Sequence, residues 1–155
     1  MHRTIAAALA LTAASSLHAQ TIATPPAVDP AYAAPLLGSW SYAPIAGGSE
    51  ITFRDTSARP QLTIRCARAE RRLTIAKPAS AAAPVLVVWT SSQTRSLPAT
   101  FDPATAQLSA TLAAYDPVLD ALVFSRGRVA FSVAGSQLVL PAWGEISRVV
   151  EDCRV

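Results

Sequence analysis

The stretch "QLTIRC", Gln61 to Cys66, decides the fold. Leu62, Ile64 and Cys66 fall on one phase of a period-two pattern, with Thr63 and Arg65 on the other, as in a strand with one covered face. After "ARAER" the pattern returns in "RLTIA", where Leu73 and Ile75 keep the apolar phase. Together the two runs predict a β-hairpin, although the connection has no Gly or Asn to set its turn type. Upstream, "EITFR" puts Ile51 and Phe53 on one face. Downstream, "PVLVVWT" (84–90) is apolar on both phases and predicts a central strand covered on both sides. "TRSLPATF" and "QLSATLAAY" are weaker strand candidates. "RVAFSV" and "QLVLPAW" predict a second hairpin, with Val129, Phe131 and Val133 facing Leu138 and Leu140 across Ala134-Gly135-Ser136.

Two segments have helical spacing. In "DPVLDALVF", Asp116 suits an N-cap and Pro117 the first helical position, with Leu119, Leu122 and Val123 on one side. In "WGEISRVVEDC", Trp143, Ile146, Val150 and Cys153 follow one stripe. Arg148 is spaced to pair with Glu145 and Asp152. The expected class is therefore α+β: mainly an antiparallel β-sandwich or half-barrel of six to eight strands. A short helix near 117–124 and a C-terminal helix complete it.

The N-terminus, "MHRTIAAALALTAASSLHAQ", has a basic start, an apolar run and a small-residue end. That is the pattern of a secretory signal peptide over 1–19, cleaved after Ala19. The run is far short of the roughly 20 apolar residues of a membrane span, and no cysteine is near to carry a lipid. Residues 20–38, rich in Pro and Ala, read as a flexible leader, and 39–155 as one β-rich domain. A periplasmic or secreted location follows. In an oxidising compartment Cys66 and Cys153 are expected to pair, the alternative being two buried thiols. Both lie on inward phases, so the bond would clip the last helix to the sheet.

Removal of 1–19 takes both histidines, which leaves no Ser-His or Cys-His pair and no imidazole ligand for a metal. No phosphate loop, dinucleotide fingerprint, G-x-S-x-G or S-x-x-K is present. No enzyme activity, cofactor or metal is expected. Asp116 and Asp120 stand one helical turn apart, but capping and helix surface account for them. Lys77, the only lysine, ends a strand where such a residue is usually solvated. Trp40, Trp89 and Trp143 could line a ligand groove, but Trp89 and Trp143 sit in the two most apolar patterns of the chain and are assigned to core packing.

Two arginine groups stand out. Arg54, Arg59, Arg65, Arg68, Arg71 and Arg72 face only Asp55 and Glu70, a balance of +4 over 54–72. They read as the solvated side of a hairpin, or as a contact for an anionic envelope component or acidic protein through Arg65, Arg68, Arg71 and Arg72. No aromatic is interleaved, which argues against nucleic acid. The second group is "FSRGR", Phe124 to Arg128. It is read as a helix end closed by Gly127, with Arg126 reaching back toward Asp120, or as an anion and partner hook built on Arg126 and Arg128.

The runs "LSATLAAYDPVLDALVFSRGRVAFSV" and "LVLPAWGEISRVVEDCR", with "LTIRC" upstream, resemble a family of small exported alphaproteobacterial proteins without an assigned activity. More distantly, a tryptophan near the start, the L-x-I-R-C strand and the late F-S-x-G-R turn resemble the accessory periplasmic proteins of type VI secretion (the TagO/VasI type). These resemblances imply a single β-rich periplasmic domain that acts by binding. The expected function is a non-enzymatic binding or accessory protein of the envelope or secretion machinery. A small secreted inhibitor of an envelope-directed hydrolase is the alternative.

Overall fold

The computed structural model describes residues 28–155. The expected signal peptide and the first part of the leader lie outside the described residues. Ten strands and two helices follow. The hairpin predicted from Gln61–Cys66 is present as β3 (Pro60–Ala67) and β4 (Arg72–Pro78), with Ile64 opposite Ile75 and Cys66 opposite Leu73. Its turn has no glycine, and Arg71 itself adopts the left-handed conformation, φ 49°. β2 (Gly48–Asp55) pairs with β3, and β1 (Gly38–Ile45) pairs with β2. β8 (Gln107–Ala113) lies against β4, and the short β7 (Thr100–Asp102) closes this six-stranded antiparallel sheet. A second sheet of four strands has the order β10 (Ser136–Pro141), β9 (Arg128–Val133), β5 (Val85–Trp89), β6 (Thr94–Pro98).

The apolar phases of both sheets meet. Ile51, Phe53, Leu62, Ile64, Leu73, Ile75 and Leu108 of the first sheet share one core with Leu86, Val88, Leu97, Phe131 and Leu140 of the second. At about 25 cal/mol per Å² of apolar surface, this interface is the main source of stability. The class is thus α+β and sandwich-like, as the alternation predicts. β9 and β10 keep the predicted facing pairs, Phe131 with Leu138 and Val129 with Leu140. Their turn is tighter than expected, with only Ala134 and Gly135 between the strands, both at positive φ.

Three expectations are corrected. The central strand is not covered on both sides: Leu86 and Val88 are buried, but Val87 and Trp89 are half-buried and Val85 is exposed. The outer face of the small sheet is covered unevenly: Ala130 and Val139, in register with Trp89, are buried, whereas Val85 and Val87 are not, and there β-branched residues supply strand propensity rather than core. "TRSLPATF" is two strands in different sheets, and the chain crosses between them at Ala99, whose N–H donates to the Pro84 carbonyl. β1 has no counterpart among the predicted strands, because Gly38 and Pro44 mask the shared phase of Trp40 and Tyr42. Trp40 is core, edge-on to Phe53 with centroids 5.3 Å apart, and its Nε1 donates to the Pro141 carbonyl.

The helices form as the sequence predicts. α1 (Pro117–Val123) starts at Asp116, whose carboxylate accepts from the Val118 N–H. α2 (Gly144–Asp152) lays Ile146, Val149 and Val150 on β1, β2 and β3. Trp143 does not join that stripe. It caps the helix and stays about half exposed, while Val149 takes the inward place. Cys153, one residue past α2, is bonded to Cys66 of β3, with the Cα atoms 5.5 Å apart.

Candidate functional site

Each candidate residue is positioned by the frame just described. Beside the disulfide, Tyr42 of β1 donates its hydroxyl to Asp152 Oδ2 at 2.8 Å, and Arg148 Cζ lies over the Tyr42 ring, 3.6 Å from its centroid. Arg68 Nε reaches the Asp152 carbonyl at 3.3 Å. Burial pushes the Asp152 carboxyl up, but its polar neighbours outweigh that and hold it below the ordinary 3.8. They are Ser49 and Tyr42, then the charges of Arg68 and Arg148. The fully buried Ser49 hydroxyl itself makes no geometric hydrogen bond, so it acts as a nearby dipole. Arg148 therefore stacks on the Tyr42 ring and acts on Asp152 through its charge alone, without the expected ion pairs to Glu145 and Asp152.

The six arginines of 54–72 do not form one patch. Arg54 and Arg59 sit at the β2–β3 turn, Arg54 on the Ala58 carbonyl and Arg59 paired with Asp55 at 3.2 Å. Arg65, Arg68, Arg71 and Arg72 gather at the opposite end of β3, roughly 25 Å away for an eight-residue strand. Within this group Arg65 faces Glu50 at 3.9 Å and Arg68 is spent on α2, leaving Arg71 and Arg72 exposed. Arg65 and Arg72 share the outer face of the hairpin. That face continues into an open trough of about 490 Å³ lined by Thr63, Thr74, Ser109, Gln107 and Asp102.

"FSRGR" is closed by its own hydrogen bonds. Ser125 Oγ accepts from the Ser91 N–H at 2.9 Å and donates to the Arg128 carbonyl at 2.6 Å. The Arg126 N–H donates to Ser91 Oγ; α1 closes at the Phe124 C-cap rather than at the expected glycine, and Gly127, at φ 76°, instead turns the chain into β9. The Arg128 guanidinium is bound to the Ala33 carbonyl at 2.6 Å and ties residues 29–36 to the edge of the small sheet, where the Leu36 N–H meets the Val139 carbonyl. Arg126 does not reach Asp120. That carboxylate is taken by Arg154 at 2.7 Å, from a residue 34 positions away. The side chain of Arg126 projects from the surface.

Phe124 is the feature that the sequence reading missed. It is 77% exposed at the end of α1, on a segment held rigidly by Ser91 and Ser125. The Ala142 N–H donates to the Gly127 carbonyl, which brings the start of α2, with the 47% exposed Trp143, beside the same turn. The exposed Phe124, Arg126 and Trp143 thus flank one backbone junction, the rim between the 124–128 turn and the start of α2. The missed signal was the failure of Phe124 to fit the apolar stripe of α1; Trp143 does fit the spacing of α2, and only its place at the N-cap leaves it exposed.

Among the described residues no three His, Cys, Asp or Glu side chains gather to hold a metal, and no helix is long and apolar enough to cross a membrane. No protein-family model, curated protein or solved structure matches the chain.

Proposed function

We propose that this is an exported, non-enzymatic binding module of the cell envelope or its secretion machinery, and that it engages a partner protein through the rim of Phe124, Arg126 and Trp143. The observation that carries this is a large aromatic left in water on a rigid turn. Leaving Phe124 exposed forgoes up to about 1.5–3 kcal/mol of burial, Trp143 leaves about half of its surface in water, and bulky aromatics and arginine are the residue types that dominate binding energy at interfaces. A turn already fixed by Ser91 and Ser125 loses little entropy on docking. The disulfide supports an oxidising location.

The same rim supports a second reading, inhibition of an envelope-directed hydrolase by insertion of the Phe124–Arg128 turn. The test separates side chains that project from those that hold the fold. Phe124→Ala and Arg126→Ala are expected to weaken capture of a crosslinked envelope partner at least tenfold, with the melting temperature within a few degrees of wild type. Arg128→Ala, which frees residues 29–36, lowers stability instead. Capture unchanged by Phe124→Ala, Arg126→Ala and Trp143→Ala together refutes the rim. Loss of inhibition of a muralytic enzyme in those variants selects the second reading.

A further inference from the structure

Lys77 stands where the core rows point outward at one end of the sandwich. Along β4 the inward phase runs Leu73, Ile75, Lys77, the first two fully buried, and Lys77 is paired with the fully buried Leu108. The expected solvated strand end is therefore half-buried. The side chain lines a half-enclosed cavity of about 290 Å³ between the β4–β5 connection and the β9–β10 turn. Its walls are mostly apolar, with Pro78, Ala79, Ala81 and Val133, and Lys77 is the only charged residue in the lining.

The ammonium has no counter-ion from this chain. All ten acidic residues lie at or beyond Asp29, and none forms an ion pair with Lys77. Its single hydrogen bond among the described residues is a 3.5 Å contact to the adjoining Pro78 carbonyl, which leaves most of its three donors unspent there. Burial disfavours the charged form and lowers the pKa from the ordinary 10.5. A half-buried ammonium keeps part of its hydration, and an anion that enters the cavity beside it gains a charge-assisted contact that the described residues do not supply.

We propose that this cavity binds a small aliphatic carboxylate, its carboxyl group on Lys77 Nζ and its hydrocarbon body against Pro78, Ala79, Ala81 and Val133. One cation balances one negative charge, which favours a carboxylate over a phosphate dianion. The volume is at the small end of ligand sites, typically about 300–1,000 Å³, so the guest is short. This site does not rest on the aromatic rim, and each can fail without the other.

Because the chain has one lysine, protein labelled with ¹³C-lysine gives a single ε-methylene resonance that reports on the site directly. Titration with hexanoate is expected to shift that resonance saturably, with a Kd on the order of 1 mM for so small a ligand. Hexanol and chloride at matched ionic strength leave it in place. Lys77→Met keeps the length and apolar bulk of the stem. Followed on the Val133 methyl resonances, it loses hexanoate affinity about tenfold or more. A shift that is linear in hexanoate, or equal with chloride, overturns the proposal, and so does hexanoate binding unchanged in Lys77→Met. The wild-type titration decides the matter even where the variant does not fold.

Discussion

Reduction of the Cys66–Cys153 bond is expected to remove about 4.5 kcal/mol of stability. The sequence separation is 87 residues, and the chain-entropy relation for a loop of that length gives about 15 cal/mol/K, or about 4.5 kcal/mol at 25 °C. Both sulfurs are buried, with Cys66 1% and Cys153 0% exposed. The native packing then keeps the same atoms after reduction, so the loss comes from the freed unfolded chain. For a domain of about 120 residues, with an unfolding entropy of about 2.1 cal/mol/K per residue, this is a fall in Tm on the order of 15–20 °C. The assay is urea unfolding of oxidised and reduced protein, followed by far-UV circular dichroism and by tryptophan fluorescence. The slope m is expected to increase on reduction, because the released chain exposes more surface. α2 stays docked in the reduced native state through Ile146, Val149, Val150 and the Tyr42–Asp152 bond. A midpoint that moves by less than about 1 kcal/mol equivalent, with m unchanged, refutes the reasoning. The helix would then be held by packing alone.

Asp116→Ala removes the N-cap of α1 and the partner of Arg95, and is expected to cost about 1–2 kcal/mol. Asp116→Asn keeps the cap bond and restores most of that, since a partly exposed ion pair contributes about 0–1 kcal/mol; thermal melts of both variants check this. Gly127→Ala forces a side chain into φ 76° in open space and costs about 1 kcal/mol. A Cβ at Gly48, by contrast, strikes the Cys66 carbonyl, and Gly48→Ala is expected to lose at least about 2 kcal/mol. Equal melting temperatures for those two would contradict the close β2–β3 approach. Tyr42→Phe lowers stability at pH 7 by about 1 kcal/mol. Asp152 titrates below 3.8 when folded, so its contribution is complete above 3.8 and is lost as pH falls through the folded value. The gap between Tyr42→Phe and wild type is therefore expected to narrow in acid, as measured by urea midpoints from pH 7 to pH 2.5.

Much of the architecture could be read from the sequence because its causes are local. Alternation in "QLTIRC" and "RLTIA" sets which side of a strand is wet, and Asp116 and Pro117 start a helix wherever the chain goes. The cysteines declared their pairing through the phase each occupies, inward on β3 and just past the apolar stripe of α2. What needed the tertiary structure depends on groups far apart in the chain. Whether "PVLVVWT" is covered once or twice is decided by how many layers pack on it, and apolar residues on both phases fit either outcome. The break at Ala99 arises because the end of β6 and the start of β7 hydrogen-bond to different sheets. Long guanidinium side chains pair by reach and not by spacing. Arg154 thus takes Asp120 from Arg126, Arg128 holds Ala33, and four of the six early arginines collect at one end of β3. The exposure of Phe124 and the half-burial of Lys77 were settled the same way. Periodicity states which face a residue occupies, but only the packed neighbours determine whether that face is covered.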